Sequence, residues 1–128
     1  MSITIDRIDH IVLTVRDVAT TSDFYRRVLG MRVARFGEDG RTALHFGRTK
    51  INLHQAGREF EPKAAVPGPG SADFCLITET PVDIVAAHLR SCGVEILLGP
   101  VPKEGAAGAL TSLYFRDPDG NLVEVSNY

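Results

Sequence analysis

The sequence predicts an α+β fold built from two βαβββ modules whose mixed sheets curve into a cup. A shift of 63 residues places His10 on Asp73 and Gly30 on Gly93 without a gap. In both halves an alternating apolar stretch is followed by an amphipathic stretch and then by further short alternating stretches, which indicates strand, helix and three strands. The same order in both halves is typical of a duplicated supersecondary unit.

The first module is predicted to span residues 7–55. "HIVLTV" alternates β-branched and apolar residues, as a strand does, and "RDVATTSDFYRRVLG" has the apolar spacing of a helix. Asp17 is the expected N-cap and Gly30 the expected stop. "MRVARF", "TALHFG" and "KINLHQ" are expected to be strands, because the turn sequences "GEDG" and "GRT" separate them.

The second module is predicted over residues 72–128, after a linker at 56–71 that is rich in Pro, Gly and charge; all 128 residues then form a single domain. We expect a strand at "DFCLIT", a helix at "TPVDIVAAHLRSCG" with Thr80 as N-cap, and a strand at "VEILLG". "LTSLYFR" and "NLVEVSNY" follow, joined by the turn "DPDG". The insertion "GPVPKEGAAGA" is predicted to be a mobile lid.

Composition excludes several kinds of partner. At 128 residues and 44% hydrophobic, the chain is long enough to bury a core. Its net charge of -2 comes from interspersed charges without a basic stripe, which argues against nucleic-acid binding. We expect a cytoplasmic protein with no membrane contact, because there is no long apolar run or signal pattern and the two cysteines lack a CxxC spacing.

Ionisable residues recur on the strand faces that point away from the predicted helices. His10 and His54 lie on such faces in the first module, and Asp73 and Glu124 in the second. The repeat predicts that His54 is equivalent to Glu124, as His10 is to Asp73. If the modules pair about a pseudo-twofold axis, the four side chains converge, and a divalent metal would compensate their burial.

Simpler interpretations exist for each residue alone. A single Glu on a strand is usually exposed or paired with a cation, and Arg116 is available to Glu124 across the hairpin. A single strand His is more often hydrogen-bonded in a core or on a surface. His45 and Tyr114, aligned through "LHF" and "LYF", are candidate substrate contacts, with cross-strand packing as the alternative.

The stretches "DHIVLTV", "FYRRVLGM" and "YFRDPDGNLVEV" resemble the vicinal oxygen chelate superfamily, which contains glyoxalase I, fosfomycin-resistance thiol transferases, extradiol dioxygenases and bleomycin-resistance proteins. "INLHQAGREFEPKAAVPGPGSADFCLITE" and "GPVPKEG" look closest to the group of glyoxalase domain-containing protein 5 and its bacterial relatives. The resemblance implies the glyoxalase/bleomycin resistance/dihydroxybiphenyl dioxygenase fold. It also implies metal ligands at His10, His54, Asp73 and Glu124, although the family usually has His in place of Asp73 and glyoxalase I has Glu or Gln in place of His54.

The resemblance implies a metal-dependent enzyme, with glyoxalase I-like lyase or isomerase chemistry on a small substrate that chelates the ion through vicinal oxygens. The ion would be Zn, Ni, Co, Mn or Fe(II), since the ligand types alone do not choose among them. Glu124 would also act as general base, and glutathione is a candidate co-substrate.

Two alternatives stay open. His10, His54 and Glu124 have the composition of the two-His, one-carboxylate triad of an extradiol-type dioxygenase. A metal-free, bleomycin-resistance-type protein that binds a small molecule is the other. We expect a homodimer, in which modules pair within one chain or exchange between two chains.

Overall fold

A computed structural model describes residues 2–128 and confirms the α+β class, with two four-stranded mixed sheets and two helices. The chain divides into two compact units, Met1–Gly68 and Pro69–Tyr128. Each unit has the element order βαβββ. Among the described residues no helix is long and apolar enough to cross a bilayer.

The first unit follows the sequence prediction closely. Asp17 caps the helix through Oδ2, which accepts a hydrogen bond from the Thr20 backbone N–H at 3.0 Å, and Gly30 ends it in the left-handed region at φ 68°. The strands form a sheet in the order β1-β4-β3-β2, with β1 parallel to β4. The elements are β1 His10–Val15, α1 Val18–Leu29, β2 Arg32–Phe36, β3 Arg41–Phe46 and β4 Thr49–Gln55.

One face of this sheet forms the core with α1. Leu13 pairs with Leu53 and Leu44 pairs with Ile51, and all four are buried together with Tyr25 of the helix. Because side chains alternate along a strand, the residues between them point to the opposite face. That opposite face carries the polar residues of the candidate site.

The second unit repeats the topology, with strand order β5-β8-β7-β6 and β5 parallel to β8. The turn "DPDG" forms as predicted: Asp117 Oδ1 accepts hydrogen bonds from the backbone N–H groups of Asp119 and Asn121, at 2.9 and 3.0 Å. Asn121 Oδ1 in turn accepts from the Ala72 N–H at 2.9 Å, which fixes the start of β5 beside β8. The elements are β5 Asp73–Ile77, α2 Val82–Ser91, β6 Leu98–Gly105, β7 Gly108–Arg116 and β8 Leu122–Asn127.

The predicted N-cap of the second helix is wrong. α2 begins at Val82 after Pro81, and the capping position makes no side-chain hydrogen bond. Asn127, from the end of β8, supplies the missing acceptor: its Oδ1 accepts from the Val82 N–H at 2.9 Å. Its Nδ2 donates to the carbonyls of Thr78 and Thr80 at 2.8 and 2.9 Å, so a residue distant in sequence caps the helix.

The predicted strand "VEILLG" begins four residues too early, and the segment predicted to be a lid forms a β-hairpin. Residues 94–97 form no strand, whereas Leu98–Gly105 forms β6 and pairs with β7 up to the Gly105–Gly108 pair. Pro100 and Pro102 are accommodated because β6 is the edge strand of its sheet. A Cβ at Gly99 would lie 2.4 Å from the carbonyl oxygen of Ser112, so this glycine allows the close contact between β6 and β7.

Candidate functional site

The strand register of the first unit places the predicted histidines far apart. His10 pairs with Lys50, and Thr14 pairs with His54, across the parallel strands β1 and β4. His10 and His54 are therefore separated by four residues along the strands, or roughly 13 Å. Asn52 lies between Lys50 and His54 on the same face of β4. Because Lys50 is opposite His10, Asn52 is displaced from His10 by only two residues along the strands.

The second unit repeats the spacing with different residues. Asp73 pairs with Leu122 and Cys75 pairs with Glu124, so Glu124 also lies one two-residue step from the level of Asp73. Glu124 therefore occupies the position that Asn52 has in the first unit. The predicted equivalence of His54 with Glu124 is wrong by two residues, and the counterpart of His54 is Ser126, which pairs with Ile77.

The same shift affects the third strands. His45 pairs with Lys50, whereas Tyr114 pairs with Glu124, so the predicted alignment of His45 with Tyr114 is wrong as well. Ala43, the partner of Asn52, is the counterpart of Tyr114. A shift of two residues leaves every side chain on the same face, so the alternation pattern cannot detect it.

His10 is exposed at the start of β1. Its Nδ1 lies 2.8 Å from Asp9 Oδ1, and this hydrogen bond is the main cause of the lowered pKa of Asp9. An Nδ1–H that donates to a carboxylate leaves Nε2 with the lone pair that a metal uses.

Two buried polar atoms on this face have no hydrogen-bond partner: Asn52 Oδ1 and His54 Nδ1. Such atoms are uncommon and call for a ligand, an ion or water. Sequence reasoning did not single out Asn52, although its place on the same face as His54 was the available signal. Burial, and next the charge of Arg41, lower the pKa of His54 and favour its neutral form.

Glu124 is half-buried within a hydrogen-bonded group of side chains. Ser126 Oγ donates to Glu124 Oε2 at 3.2 Å, and it also lies 2.6 Å from Ser112 Oγ and 3.2 Å from Cys75 Sγ. Arg116 instead donates to the carbonyl of Gly120 at 3.2 Å, and within residues 2–128 no cation forms an ion pair with Glu124. The alternative in which Arg116 neutralises Glu124 is therefore not realised.

Tyr114 faces Glu124 across β7 and β8. Burial, a hydrogen bond to Glu124 and the charge of that carboxylate raise the pKa of the phenol. Burial also raises the pKa of the Cys75 thiol, and the Glu124 carboxylate adds to the effect. Both groups are therefore protonated at neutral pH, and the phenol is a hydrogen-bond donor beside the carboxylate.

The donors occur in pairs rather than in a larger cluster. In the described part of the chain, no three His, Cys, Asp or Glu side chains lie close enough together to hold a metal ion. Each unit instead offers one pair of donors on adjacent strands, displaced by two residues along the strands. These pairs are His10 with Asn52 and Asp73 with Glu124.

Comparison with known proteins agrees with this architecture. The model of the Glyoxalase/Bleomycin resistance protein/Dioxygenase superfamily matches residues 7–125. The chain belongs to this superfamily. The predicted resemblance is thus confirmed, because vicinal oxygen chelate proteins are members of the same group.

Several known proteins are similar to nearly the whole of this chain. "Virulence protein STM3117" of Salmonella typhimurium is 55% identical over 124 residues, which cover 97% of this chain and 85% of that protein. "Glyoxalase domain-containing protein RDO1" of Mycosarcoma maydis is 51% identical over 121 residues, 94% of this chain and 68% of the relative. The solved structure of the integron cassette protein VCH_CASS1 of V. cholerae is 55% identical with a TM-score of 0.97, covering 100% of this chain and 99% of the other.

Proposed function

We propose that the protein is a divalent-metal-dependent enzyme, with His10 and Asn52 as one candidate pair of metal ligands and Asp73 and Glu124 as the other. The observation that supports this proposal is the strand register, which is the same in both units. His10 and Asp73 occupy equivalent positions on β1 and β5, and Asn52 and Glu124 occupy equivalent positions on β4 and β8. The predicted ligand His54 is replaced by Asn52 in this set, because roughly 13 Å along the strands separates His54 from His10.

The donor chemistry fits such an ion. One imidazole, one amide oxygen and two carboxylates are nitrogen and oxygen donors, the types that hard and borderline divalent cations prefer. The buried Asn52 Oδ1 lacks a partner, and a bound cation would satisfy it. Because this set is richer in oxygen than the predicted one, it suits Mn better than the predicted set does.

Among reactions, we favour glyoxalase I-like lyase or isomerase chemistry. The bound ion would supply Lewis acidity that polarises a substrate carbonyl. Glu124 would accept a proton from the carbon beside that carbonyl. The hydrogen bond from Ser126 Oγ to Glu124 Oε2 supports this role, because it fixes one oxygen of the carboxylate. Tyr114, with its raised pKa, keeps its proton and donates a hydrogen bond beside this carboxylate.

Elemental analysis of purified, tag-free protein by plasma mass spectrometry tests the proposal. We expect close to one divalent transition ion per chain, lost in Glu124→Ala and in Asn52→Ala but retained in Glu95→Ala, whose glutamate is exposed and lies outside the strands. Turnover of a glutathione hemithioacetal by the loaded protein would then support the lyase or isomerase reaction. A folded protein that takes up no ion from an equimolar mixture would contradict the enzyme proposal.

A metal-free binding protein is the second candidate, and Asn52 is the observation that favours it. A neutral amide binds cations less strongly than the carboxylate that its counterpart Glu124 supplies. In that case Asn52 Oδ1 would accept a hydrogen bond from a ligand hydroxyl or N–H group. Retained ligand binding in metal-free protein and in Glu124→Ala would favour this candidate.

We also propose a homodimer, since isologous dimers are the commonest assembly of such chains. If the two donor pairs come from two chains, dilution below the dimer dissociation constant removes metal binding and activity together. Analytical ultracentrifugation with metal analysis of each species tests this. A fully metallated, active monomer would show that both pairs belong to one chain.

A further inference from the structure

A continuous series of cation and ring contacts lies next to Asn52 in the first unit. Lys50 Nζ lies 3.9 Å from the centroid of the Phe36 ring, and the guanidinium carbon of Arg41 lies 4.4 Å from that of Phe60. Phe36 pairs with Arg41 across β2 and β3, which joins the two contacts. The His54 ring meets Phe60 edge-on at 5.4 Å between centroids. We call these five residues the cation–aromatic cluster.

The positive charges of the cluster are only partly compensated. Arg41 Nε donates to Asp39 Oδ2 at 3.0 Å, in a partly exposed pair. Lys50 forms no ion pair with a carboxylate anywhere in residues 2–128, and its ammonium lies over the Phe36 ring instead. One cation therefore stays available to a ligand anion.

His54 adds an unused polar atom to the same place. His54 is 5% exposed, and its buried Nδ1 has no hydrogen-bond partner. The charged groups that act on it are Arg41 from β3, and Glu59 and Lys63 from the segment after β4. Lys63 lies 3.9 Å from Glu59 and 3.0 Å from Glu61, and Arg41 pairs with Asp39. Within residues 2–128, Lys50 is therefore the cation of the cluster that has no carboxylate partner.

We propose that the cation–aromatic cluster binds the carboxylate end of a small organic acid, with the apolar part of that acid against Phe36 and Phe60. This inference deepens the proposed function, since it names the chemical class of the substrate. A singly charged carboxylate matches one uncompensated cation, whereas a phosphate dianion would have to give up more hydration for the same partner.

The test follows the imidazole of His54 by NMR in metal-free protein with a chelator present. Benzoate is the probe, benzamide its neutral isostere and inorganic phosphate the second anion. At fixed pH, we expect benzoate to shift the resonances of the His54 imidazole, while those of His88 on α2 do not respond. Equal binding of benzamide, equal binding of phosphate, or an equal response of His88 would each overturn the proposal.

Variants identify the groups responsible. We expect Arg41→Gln and Lys50→Gln each to weaken benzoate binding about tenfold, since each removes a charge-assisted hydrogen-bond donor to the carboxylate. Arg48→Gln, an exposed arginine between β3 and β4, is the matched control and should bind benzoate as the parent does. If Arg48→Gln weakens binding equally, the attraction is nonspecific and the proposal fails.

The two proposals fail separately. Because the titration uses metal-free protein, absence of benzoate binding would overturn the cluster and leave the metal proposal standing. Benzoate binding in a protein that takes up no ion would support the cluster and contradict the enzyme.

Discussion

Glu124 and Asp73 lie on adjacent parallel strands and are displaced from each other by two residues along the strand direction. Asn52 and His10 have the same relationship in the other unit. This relationship changes the candidate donor set. It replaces His54, which the sequence had suggested, with an asparagine whose side-chain oxygen is buried and without a partner. It also leaves His54 for a different role beside Arg41 and Phe60.

Substitutions at Asn52 and His54 separate the two donor sets. We expect Asn52→Asp to tighten Mn²⁺ binding about tenfold, because a carboxylate adds charge to an oxygen donor. His54→Gln should leave Mn²⁺ affinity within about twofold of the parent, since His54 lies roughly 13 Å along the strands from His10. Competition with a fluorescent chelator measures both. Loss of Mn²⁺ binding in His54→Gln, with no effect of Asn52→Asp, would restore the original ligand set.

Stability should decline on mild acidification because of His54. Burial and Arg41 lower the pKa of this imidazole in the folded state, so the unfolded state binds the proton more readily. The contribution of neutral His54 to the free energy of unfolding is fully present above the pKa of the unfolded state, about 6.5, and it is lost as pH falls through and below that value. We expect the midpoint of thermal unfolding to fall between pH 7.5 and about pH 5.5, and to fall less in His54→Gln. Parallel curves for the two proteins would contradict this assignment.

The cap of α2 can be tested at two positions. Asn127→Ala removes one acceptor and two donor interactions and should lower the free energy of unfolding by about 1 to 2 kcal/mol, as the loss of a helix cap does. Thr80→Ala, at the residue that the sequence predicted as the cap, should change it by less than about 0.5 kcal/mol. Urea denaturation followed by circular dichroism measures both. A larger effect at Thr80 would show that the local cap matters after all.

Gly99 tests whether the "GPVPKEGAAGA" segment is a fixed strand or a lid. A Cβ there would lie 2.4 Å from the Ser112 carbonyl oxygen, at a φ of 109° that other residues rarely adopt. We expect Gly99→Ala to lower the free energy of unfolding by about 1 to 3 kcal/mol. Gly68→Ala, which has nothing within 4 Å and no positive φ, should be neutral or slightly stabilising. Equal effects of the two substitutions would argue against a tightly paired β6.

Local signals were sufficient for most of the first unit. Asp17 and Gly30 act within one turn of the helix that they begin and end, so their roles are visible in a short window of sequence. The edge strand β6 was missed because its glycines and prolines are typical of loops in isolation. Only the paired neighbour β7, and the close contact at Gly99, make a strand of it.

The sequence by itself determined the duplicated βαβββ order, the two helices and the faces on which polar residues lie, because periodicity and capping are local properties of the chain. Tertiary structure decided which residues on those faces are neighbours. Strand register is set by pairing between distant segments, and a slip of two residues preserves every face. Asn52 opposite Val12, Glu124 opposite Cys75 and Asn127 at the start of α2 are all consequences of that pairing.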